Sequence, residues 1–503
     1  KNRVETLIRS LSRFSEKALL ILSGQSDVQA DSLTIGPVLI FQRLWRESGI
    51  QDSLNYLLRE RKFEFNVERA IFLTVLHRLM ISGSDRHCVK WRRDYLIPGT
   101  EDLDLHHLYR AMSFLGQSPS DEDLGEGLGL RRNKDLIEEM MFNRKRHLFS
   151  ELELVFFDTT SIYFEGQGGG YFGNRGFSKD HRPDLHQMVV GAVLDDSGHP
   201  ICCEMWPGNT SDVTAMMPIV KRLQRRFGIR KFCIVGDRGM ISADTIAKLE
   251  ENQMLYILGT RMRRVKNVKI DVLGRAGRYK EVYPENADRR KPAPLKVKEA
   301  VHNGTRHVVC LNQRQARKDA ADRQAIIESL KQQLKKGPKA LVGNKGYRKY
   351  LKVQKGSAQI DMTKIKEESR FDGKWVLTTN TDLASDQVAL KYKELWRVER
   401  VFRDVKSLLN TRPVFHNSDA NIAGHVFCSF LALVLRKELD RRLAENDHRF
   451  EWNDIKLDLK ALKKVEIEEG DKRFAIRSEC KGVCGKIFQS VRVALPPKIK
   501  AID

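Results

Sequence analysis

The sequence predicts an α/β fold: a mixed five-stranded sheet with flanking helices, interrupted by a partly β insertion domain and preceded by an α-helical N-terminal domain. Apolar residues recur at helical spacing in the first 150 residues, and short apolar runs typical of strands follow. A chain of 503 residues is also too long for one compact core. We therefore expect an α-helical N-terminal region, a first core part, a β-rich insertion, a second core part and a basic C-terminal region, at residues 1–150, 151–260, 261–385, 386–440 and 441–503.

The N-terminal region has its apolar residues on helical faces, as in residues 38–44 and 70–76. Basic clusters follow at residues 90–93 and 131–134. This combination predicts helices that contact DNA. A helical bundle with solvated basic faces is the alternative.

Residues 151–260 are predicted to alternate between strands and helices. The expected strands are Glu151–Phe157, His186–Leu194, Pro200–Trp206, Phe232–Val235 and Leu255–Leu258, and the expected helices are Asp212–Phe227 and one capped by Ser242 that runs to Glu250. A ribonuclease H-like domain has this element order: three strands, a helix, a strand, a helix and a strand. That fold needs one more helix, which the sequence places at Gln387–Leu409.

Roughly 125 residues separate the fifth strand from this last helix. Within them, Leu295–Val301 and Arg306–Leu311 flank Asn303-Gly304, a pair that suits a type I′ hairpin turn. A charged helix at Ala316–Lys336 and a strand at Trp375–Thr379 complete the insertion. Its first residues are basic, and we interpret them as a DNA track rather than a solvated edge strand: Arg261, Arg263, Arg264, Lys266 and Lys269.

The charge balance favours a nucleic-acid partner. Lys and Arg number 89 against 66 Asp and Glu, which gives a formal net charge of +23. The eight cysteines form no paired framework, so we expect thiols in a reducing compartment. The apolar run Phe427–Leu435 is too short to span a bilayer, and no secretory signal opens the chain. We expect a cytoplasmic protein with no membrane partner.

Two aspartates are the first candidate site residues. Asp158 and Asp237 each follow an apolar strand, and carboxylates are rarely placed there unless a cation holds them. If the two strands are neighbours, both carboxylates emerge at one edge of the sheet and need a metal ion to offset their repulsion. The alternative is a pair of capping or turn aspartates.

The helix Gln387–Leu409 carries the third acid. Steps of seven and four residues place Tyr392, Glu399, Arg403 and Lys406 on one face, with Trp396 and Phe402 beside it. Such a face could grip a phosphate backbone and stack a displaced base. An amphipathic helix with a Glu399–Arg403 ion pair is the alternative.

These residues resemble the bacterial DDE-type insertion-sequence transposases with the signature Tyr-x2-Arg-x3-Glu-x6-Lys. Tyr392, Glu399 and Lys406 have that spacing, while Leu395 stands where the signature has arginine. The resemblance extends from Asp158 to His425 and includes the segments 177–185, 207–212 and 237–239.

The resemblance implies a ribonuclease H-like core split by an insertion, in which Asp158, Asp237 and Glu399 bind two Mg²⁺ ions, or Mn²⁺ as a substitute. It implies that water attack frees a 3′-OH at the element end and that this hydroxyl then attacks target DNA. Arg397 and Arg403 are candidates for the phosphate contact that Leu395 lacks. Trp396 and Trp375 are candidates for stacking a flipped base, and the implied partners are transposon ends, target DNA and a second copy of the chain in a homodimer.

A further metal site at Asp180, His181, Asp184 and His186 is not expected, because orienting the core or contacting DNA explains this segment. Two other functions remain open. One is a catalytically inactive or domesticated DNA-binding repressor, which Leu395 favours. The other is a metal-dependent nuclease without strand transfer.

Overall fold

A computed structural model describes residues 28–119, 131–145, 154–229, 232–240, 242–284, 293–335, 349–354, 357–404, 411–469 and 472–502, together with Val4 and Lys406. The predicted strand residues 151–153 and helix residues 405 and 407–409 lie outside the described residues.

The N-terminal region is helical, as predicted. Its helices are α1 (Gly36–Glu47), α2 (Ile50–Leu58), α3 (Val67–Met80), α4 (Asp85–Trp91), α5 (Leu105–Gly116) and α6 (Asn133–Lys145). Helix α3 begins after Asn66, whose side chain accepts a hydrogen bond from the Arg69 amide at 3.1 Å. All of α3 is buried, because it packs against α5 and against a long helix from the end of the chain.

The following segment has the predicted order of strands and helices. It contains β2 (Leu154–Tyr163), β3 (Gln187–Leu194), β4 (Pro200–Pro207), α7 (Asp212–Phe227), β5 (Cys233–Gly236), α8 (Ala243–Glu251) and β6 (Leu255–Thr260). The prediction that the first strand stops before Asp158 was wrong. Strand β2 continues to Tyr163, because residues 156–163 pair antiparallel with β3.

The predicted insertion, residues 261–385, contributes strands to the same sheet. It contains β7 (Lys280–Val282), β8 (Leu295–His302), β9 (Thr305–Leu311), α9 (Gln313–Lys335), β10 (Leu351–Gln354), β11 (Ser357–Ile360), α10 (Met362–Ser369) and β12 (Lys374–Thr379). The predicted hairpin is confirmed: Asn303 and Gly304 have φ of 47° and 76°, as a type I′ turn requires. Residues 261–264 form turns rather than an edge strand.

A nine-stranded sheet in the order β4-β3-β2-β5-β6-β12-β9-β8-β7 organises the molecule. Strands β2, β5 and β6 are parallel, and β12 pairs antiparallel with both β6 and β9. The two faces of β2 enter different cores. Leu154 and Phe156 pack with the α3 side, whereas Val155 and Phe157 pack with α7 and α8.

The helix predicted at Gln387–Leu409 is broken in two, which corrects the prediction of a single face. The observed helices are α11 (Ser385–Lys393) and α12 (Trp396–Arg403). Between them the amides of Leu395, Arg397 and Val398 bond to carbonyls three residues back. This tighter 3₁₀ pattern turns the chain by a different angle per residue, so Tyr392 and Glu399 lie on different helices.

The end of the chain folds back on its beginning. It contains α13 (Asp419–Glu445), α14 (Trp452–Ala461), β13 (Lys463–Glu469), β14 (Lys472–Arg477), α15 (Cys484–Val491) and β15 (Ile499–Ile502). A strand that was not predicted, β1 (Val28–Thr34), pairs with β13 in a sheet of order β1-β13-β14-β15. The eight cysteines are free thiols. Among the helices described, none has the length and apolar character needed to cross a membrane.

Candidate active site

The strand register places Asp158 beside Asp237. Parallel pairing matches Phe156 of β2 with Val235 of β5. Two residues further along are the two aspartates, so Asp158, within β2, lies beside Asp237, which directly follows the end of β5. Their charges interact, because Asp237 raises the pKa of Asp158. The structure therefore brings the first two predicted acids together.

Asp158 lies in a polar but mostly enclosed position. Its side chain is 18% exposed, and its Oδ1 accepts a 2.7 Å hydrogen bond from the Thr159 amide. Burial raises the pKa of Asp158 to about 6, and the charges of Asp237 and Asp212 add to this effect. The Lys179 ammonium, 4.0 Å away, and the Thr159 hydrogen bond oppose it. A further cation would therefore be stabilised here.

Asp237 is held by Tyr392. The Tyr392 hydroxyl donates a 3.2 Å hydrogen bond to Asp237 Oδ1. Burial, together with the charge of Asp237, raises the pKa of this phenol, so it remains a donor at neutral pH. Gly259 of β6 leaves room for the hydroxyl, since a Cβ at that position would lie 2.4 Å from it. Tyr392 therefore orients the second aspartate.

Lys179 and Asp212 join this site and were not predicted as site residues. Lys179 Nζ lies 2.8 Å from both Thr159 O and Thr159 Oγ1 and 3.1 Å from Asp212 Oδ2. The Thr159 hydroxyl also bonds to Asp212. An ammonium with three close acceptors is fixed beside the acidic pair. The segments 177–185 and 207–212, which contain these residues, were the only sequence signal for them.

Glu399 lies on α12, which packs against β2 and β3. Its buried side consists of Val398, Val401 and Phe402, which join the same core as Phe156. Because side chains alternate along a strand, Asp158 points to the face of β2 that carries Phe156. Glu399 itself is exposed. The helix of the third acid thus covers the face on which the first acid lies.

The three carboxylates are not gathered around one point. Within the described ranges, one group of three or more His, Cys, Asp or Glu residues has its ligand atoms within 4.8 Å of one another, and it is Asp85, His416 and His425. In that group Arg78 already supplies positive charge, since its Nη2 lies 2.9 Å from His425 Nδ1 and 4.0 Å from Asp85 Oδ1. The group is therefore explained as a buried polar cluster.

A cavity of about 710 Å³ opens beside Asp237. It is lined by Asp237, Lys179 and Asp212, by the basic residues Arg238, Arg261, Arg263 and Arg264, and by Phe177, which is 86% exposed. Arg238 and Phe177 were not predicted as site residues. The acids thus share a groove with cations suited to phosphate.

The predicted DNA-binding arginines of the insertion differ in whether other protein groups already bind their side chains. Arg261 donates to the carbonyls of Arg238 and Gly239 at 3.0 and 2.9 Å, which ties the basic run to the Asp237 loop. Arg263 pairs with Glu368. Arg264 is exposed and has no acidic partner within 4 Å among the described residues. Arg264 is therefore the most available of the three for a ligand.

The predicted DNA contacts near Glu399 also have different surroundings. Trp396 is 50% exposed, and Arg403 is exposed. Arg397 donates to the Asp196 carbonyl and lies 3.8 Å from Glu394. Trp375 is half-buried on β12 and packs against the core. Of the two tryptophans, Trp396 is the one that a base could reach.

Lys406 is engaged within the protein. Its Nζ lies 2.7 Å from Asp180 Oδ1, and Arg412 pairs with the same carboxylate. Burial lowers the pKa of Lys406, while Asp180 opposes this effect. The segment after Phe177 is thereby attached to the chain that follows α12, as expected if Asp180 orients the core.

An acidic pair at the side of a cationic groove is typical of enzymes that act on a polyanion. The Transposase DDE domain family matches residues 150–435, more than half of the chain, and the protein belongs to this family. Membership makes it an enzyme that acts on DNA and implies a general dependence on divalent metal.

Two other comparisons add little. The structure of the piggyBac transposase synaptic complex with hairpin DNA is similar with a TM-score of 0.42 and 10% sequence identity, over 84% of this chain and 79% of that chain. No curated protein matches the sequence.

Proposed function

We propose that the protein is the DNA transposase of an insertion sequence, which cuts the element ends and joins them to target DNA by two-metal phosphoryl transfer in a ribonuclease H-like core. The observation that carries this proposal is the register of β2 and β5, which aligns Asp158 with Asp237. The strand order β4-β3-β2-β5-β6, with β3 antiparallel to its neighbours, supports the ribonuclease H-like assignment.

The donor set fits hard divalent cations. Asp158 and Asp237 offer carboxylate oxygens on neighbouring strands, and the charge of Asp237 raises the pKa of Asp158. Two ions about 4 Å apart form a wider site than a single ion does. Glu399 therefore needs to bind only one of the two ions. Mg²⁺ or Mn²⁺ held by these three residues would supply activation of the attacking oxygen and stabilisation of the leaving oxygen.

The remaining residues position the substrates. Tyr392 fixes the orientation of Asp237, and Lys179 balances the charges of Asp158 and Asp212. Arg238 and Arg264 face the groove and would bind phosphates of the DNA strand. Trp396, with Arg397 and Arg403 on the same short helix, would contact the transposon end, and Lys406 would do so if its pair with Asp180 opened. The enzyme would act as a homodimer that pairs two ends in the bacterial or archaeal cytoplasm, at the nucleoid.

A second candidate is a DNA-binding repressor without catalytic activity. Leu395, at the signature arginine position, is 5% exposed and packs in the core at the junction of α11 and α12. This position therefore offers no phosphate contact. Arg397 and Arg403 lie nearby and could supply the phosphate contact that Leu395 lacks. The catalytic proposal is therefore preferred.

Cleavage of DNA that carries the native element ends tests the proposal. Asp158→Asn, Asp237→Asn and Glu399→Gln should each abolish Mg²⁺-dependent cleavage and strand joining while leaving DNA affinity close to wild type. Asp244→Asn is the matched control, because Asp244 is an exposed acid that pairs with Lys248 on α8. Mg²⁺-dependent cleavage by any of the three variants would contradict the proposal, and specific binding without cleavage by the wild type would establish the repressor instead.

A further inference from the structure

A second basic groove, of about 540 Å³, lies between α4 and α5. Its cations are Arg86, Lys90 and Arg93, which we call the α4 stripe, and its other walls include Asp104, His106 and Tyr109. The stripe residues follow one another at steps of four and three, which keeps them on one side of α4 and the 3₁₀ turn that continues it. None of them belongs to the active site.

The three cations are exposed and have no acidic partner within 4 Å among the residues that the structure describes. The residues between Lys90 and Arg93 instead make contacts within the protein. Arg92 donates to the Leu103 carbonyl at 2.9 Å and to that of Thr100, and Trp91 is buried. The basic cluster of the sequence is therefore divided between residues that build the fold and residues that remain available for a ligand.

The spacing of the stripe suits a polynucleotide. Seven helical residues place the outer two cations about 10 Å apart along the helix axis. One DNA strand offers a phosphate about every 3.4 Å of its axis, so the three cations can meet neighbouring phosphates of one backbone. Val89, Leu105 and Tyr109 also line the groove, but its charged side consists of the three exposed cations, which favours contact with a phosphate backbone.

A buried polar cluster fixes the stripe to the catalytic core. Asp85, next to Arg86, lies 3.5 Å from His416 Nε2, and the rings of Tyr109 and His416 are in edge contact at 5.4 Å. Arg78 bonds to His425 of α13 and is close to Asp85. Helix α4 therefore has a set position relative to α13, which lies largely within the family-matched residues.

We propose that the α4 stripe binds the phosphate backbone of duplex DNA and holds it at a fixed distance from the acidic pair. The proposal rests on the proposed function and adds a second DNA contact, which positions the cleavage point. The stripe reads no bases, so its contribution is independent of sequence.

The test compares two triple variants in an Asp158→Asn background, which binds DNA without cutting it. One is Arg86→Ala, Lys90→Ala and Arg93→Ala. The matched control is Arg314→Ala, Arg317→Ala and Lys318→Ala on α9, which also removes two exposed arginines and one exposed lysine from one helix side. Binding of duplex DNA is measured from low to high salt.

The stripe variant should reduce the slope of log affinity against log salt by about 2.7, since each phosphate contact contributes about 0.9. The control variant should change this slope by less than about 0.9, the contribution of one phosphate contact. A conservative variant, Arg86→Lys with Arg93→Lys, should keep the parent slope and shows that charge rather than folding is responsible. An unchanged slope in the stripe variant, or an equal loss in the control, overturns the proposal.

Footprinting distinguishes a failure of the α4 stripe proposal from a failure of the proposed function. The stripe variant should lose protection of one internal backbone segment while the terminal segment stays protected. If the parent protein bound no DNA, the proposed function would fail. If the parent bound and the wild type cut normally, but the stripe variant kept the full footprint, only the role of the stripe would be rejected.

Discussion

Tyr392 links the two parts of the core through a single hydrogen bond to Asp237, across 155 positions of sequence. A hydrogen bond to a charged acceptor contributes about 1.5–3 kcal/mol. The Gly259 backbone lies close to this hydroxyl, since a Cβ there would be 2.4 Å from it. The orientation of the second acid therefore depends on α11 as well as on β5.

Tyr392→Phe removes this hydrogen bond and keeps the ring. We expect the single-turnover cleavage rate to fall by roughly 10-fold to 100-fold, the equivalent of that hydrogen bond, while DNA affinity stays the same. Quench-flow measurement of cleavage under saturating DNA checks the rate. A rate equal to wild type would show that Asp237 needs no such support.

Gly259→Ala should have the same effect for a steric reason, since its Cβ would lie 2.4 Å from the Tyr392 hydroxyl. The two changes should not add. With the hydroxyl removed, the Cβ conflict is largely relieved, so Gly259→Ala in the Tyr392→Phe background should cut no more slowly than Tyr392→Phe alone. Additive losses would indicate that Gly259 acts through another contact.

Lys179 should stabilise the fold as well as the site. Lys179→Met leaves Asp212 and Asp158 without their ammonium, and we expect the free energy of unfolding to fall by about 1–3 kcal/mol. Adding Asp212→Asn should recover part of this loss. Lys248→Met is the control, because its pair with Asp244 is exposed and should contribute less than about 1 kcal/mol. Urea unfolding of the wild type, Lys179→Met, Asp212→Asn and the double variant measures the coupling, and a value of zero would contradict this role.

The sequence could identify Asp158 and Asp237 because polar residues next to apolar strands are visible in one-dimensional patterns. It could not identify Lys179 or Asp212 as site residues. Lys179 lies in a loop and Asp212 begins a helix, and their contact with Thr159 depends on how β2, the loop and α7 pack. Neither position has a local pattern that distinguishes a site residue from a solvated charge.

At the scale of elements, the junction of α11 and α12 decides which residues share a surface. The sequence favoured one helix because no glycine or proline interrupts residues 387–409. Burial of Leu395 and the three bonds of the 3₁₀ type outweigh that preference. The divided arrangement directs Tyr392 to Asp237 and leaves Glu399 on the exposed side of α12.

The contact between α3, α4 and α13 predicts a pH dependence of stability. Burial lowers the pKa of His77 to about 3, with smaller effects of His87 and Arg78, and burial and Arg78 also lower the pKa of His425. The unfolded chain, with an ordinary histidine pKa near 6.5, therefore binds more protons than the folded chain below that pH. Stability is greatest above pH 6.5 and should decrease as the pH falls towards 3.

Each such histidine contributes a slope of up to about 1.4 kcal/mol per pH unit within this window. When the free energy of unfolding is measured between pH 6.5 and 4.5, His77→Asn should reduce its pH slope by up to about 1.4 kcal/mol per pH unit, the contribution of one histidine. His106→Asn, at an exposed position, is the control and should leave the slope unchanged. An equal slope for His77→Asn and wild type would mean that folding does not lower the pKa of His77.

At the scale of the whole molecule, local signals predicted the elements better than their long-range pairing. The hairpin of β8 and β9 could be predicted because Asn303-Gly304 determines its turn. The pairing of β1 with β13 could not, because more than 400 residues separate Val28 from its partner Glu469. For the same reason the sequence did not reveal that β12 joins the insertion to β6.

The central claim is that Asp158, Asp237 and Glu399 hold the same pair of divalent ions. Fe²⁺ bound in place of Mg²⁺ generates hydroxyl radicals that cut the nearest backbone, and mass spectrometry of the fragments locates the ion directly. We predict cuts close to residues 158, 237 and 399 that excess Mg²⁺ suppresses and that Asp158→Asn abolishes. Cuts near Asp85, His416 and His425, with none near the two aspartates, would contradict the account.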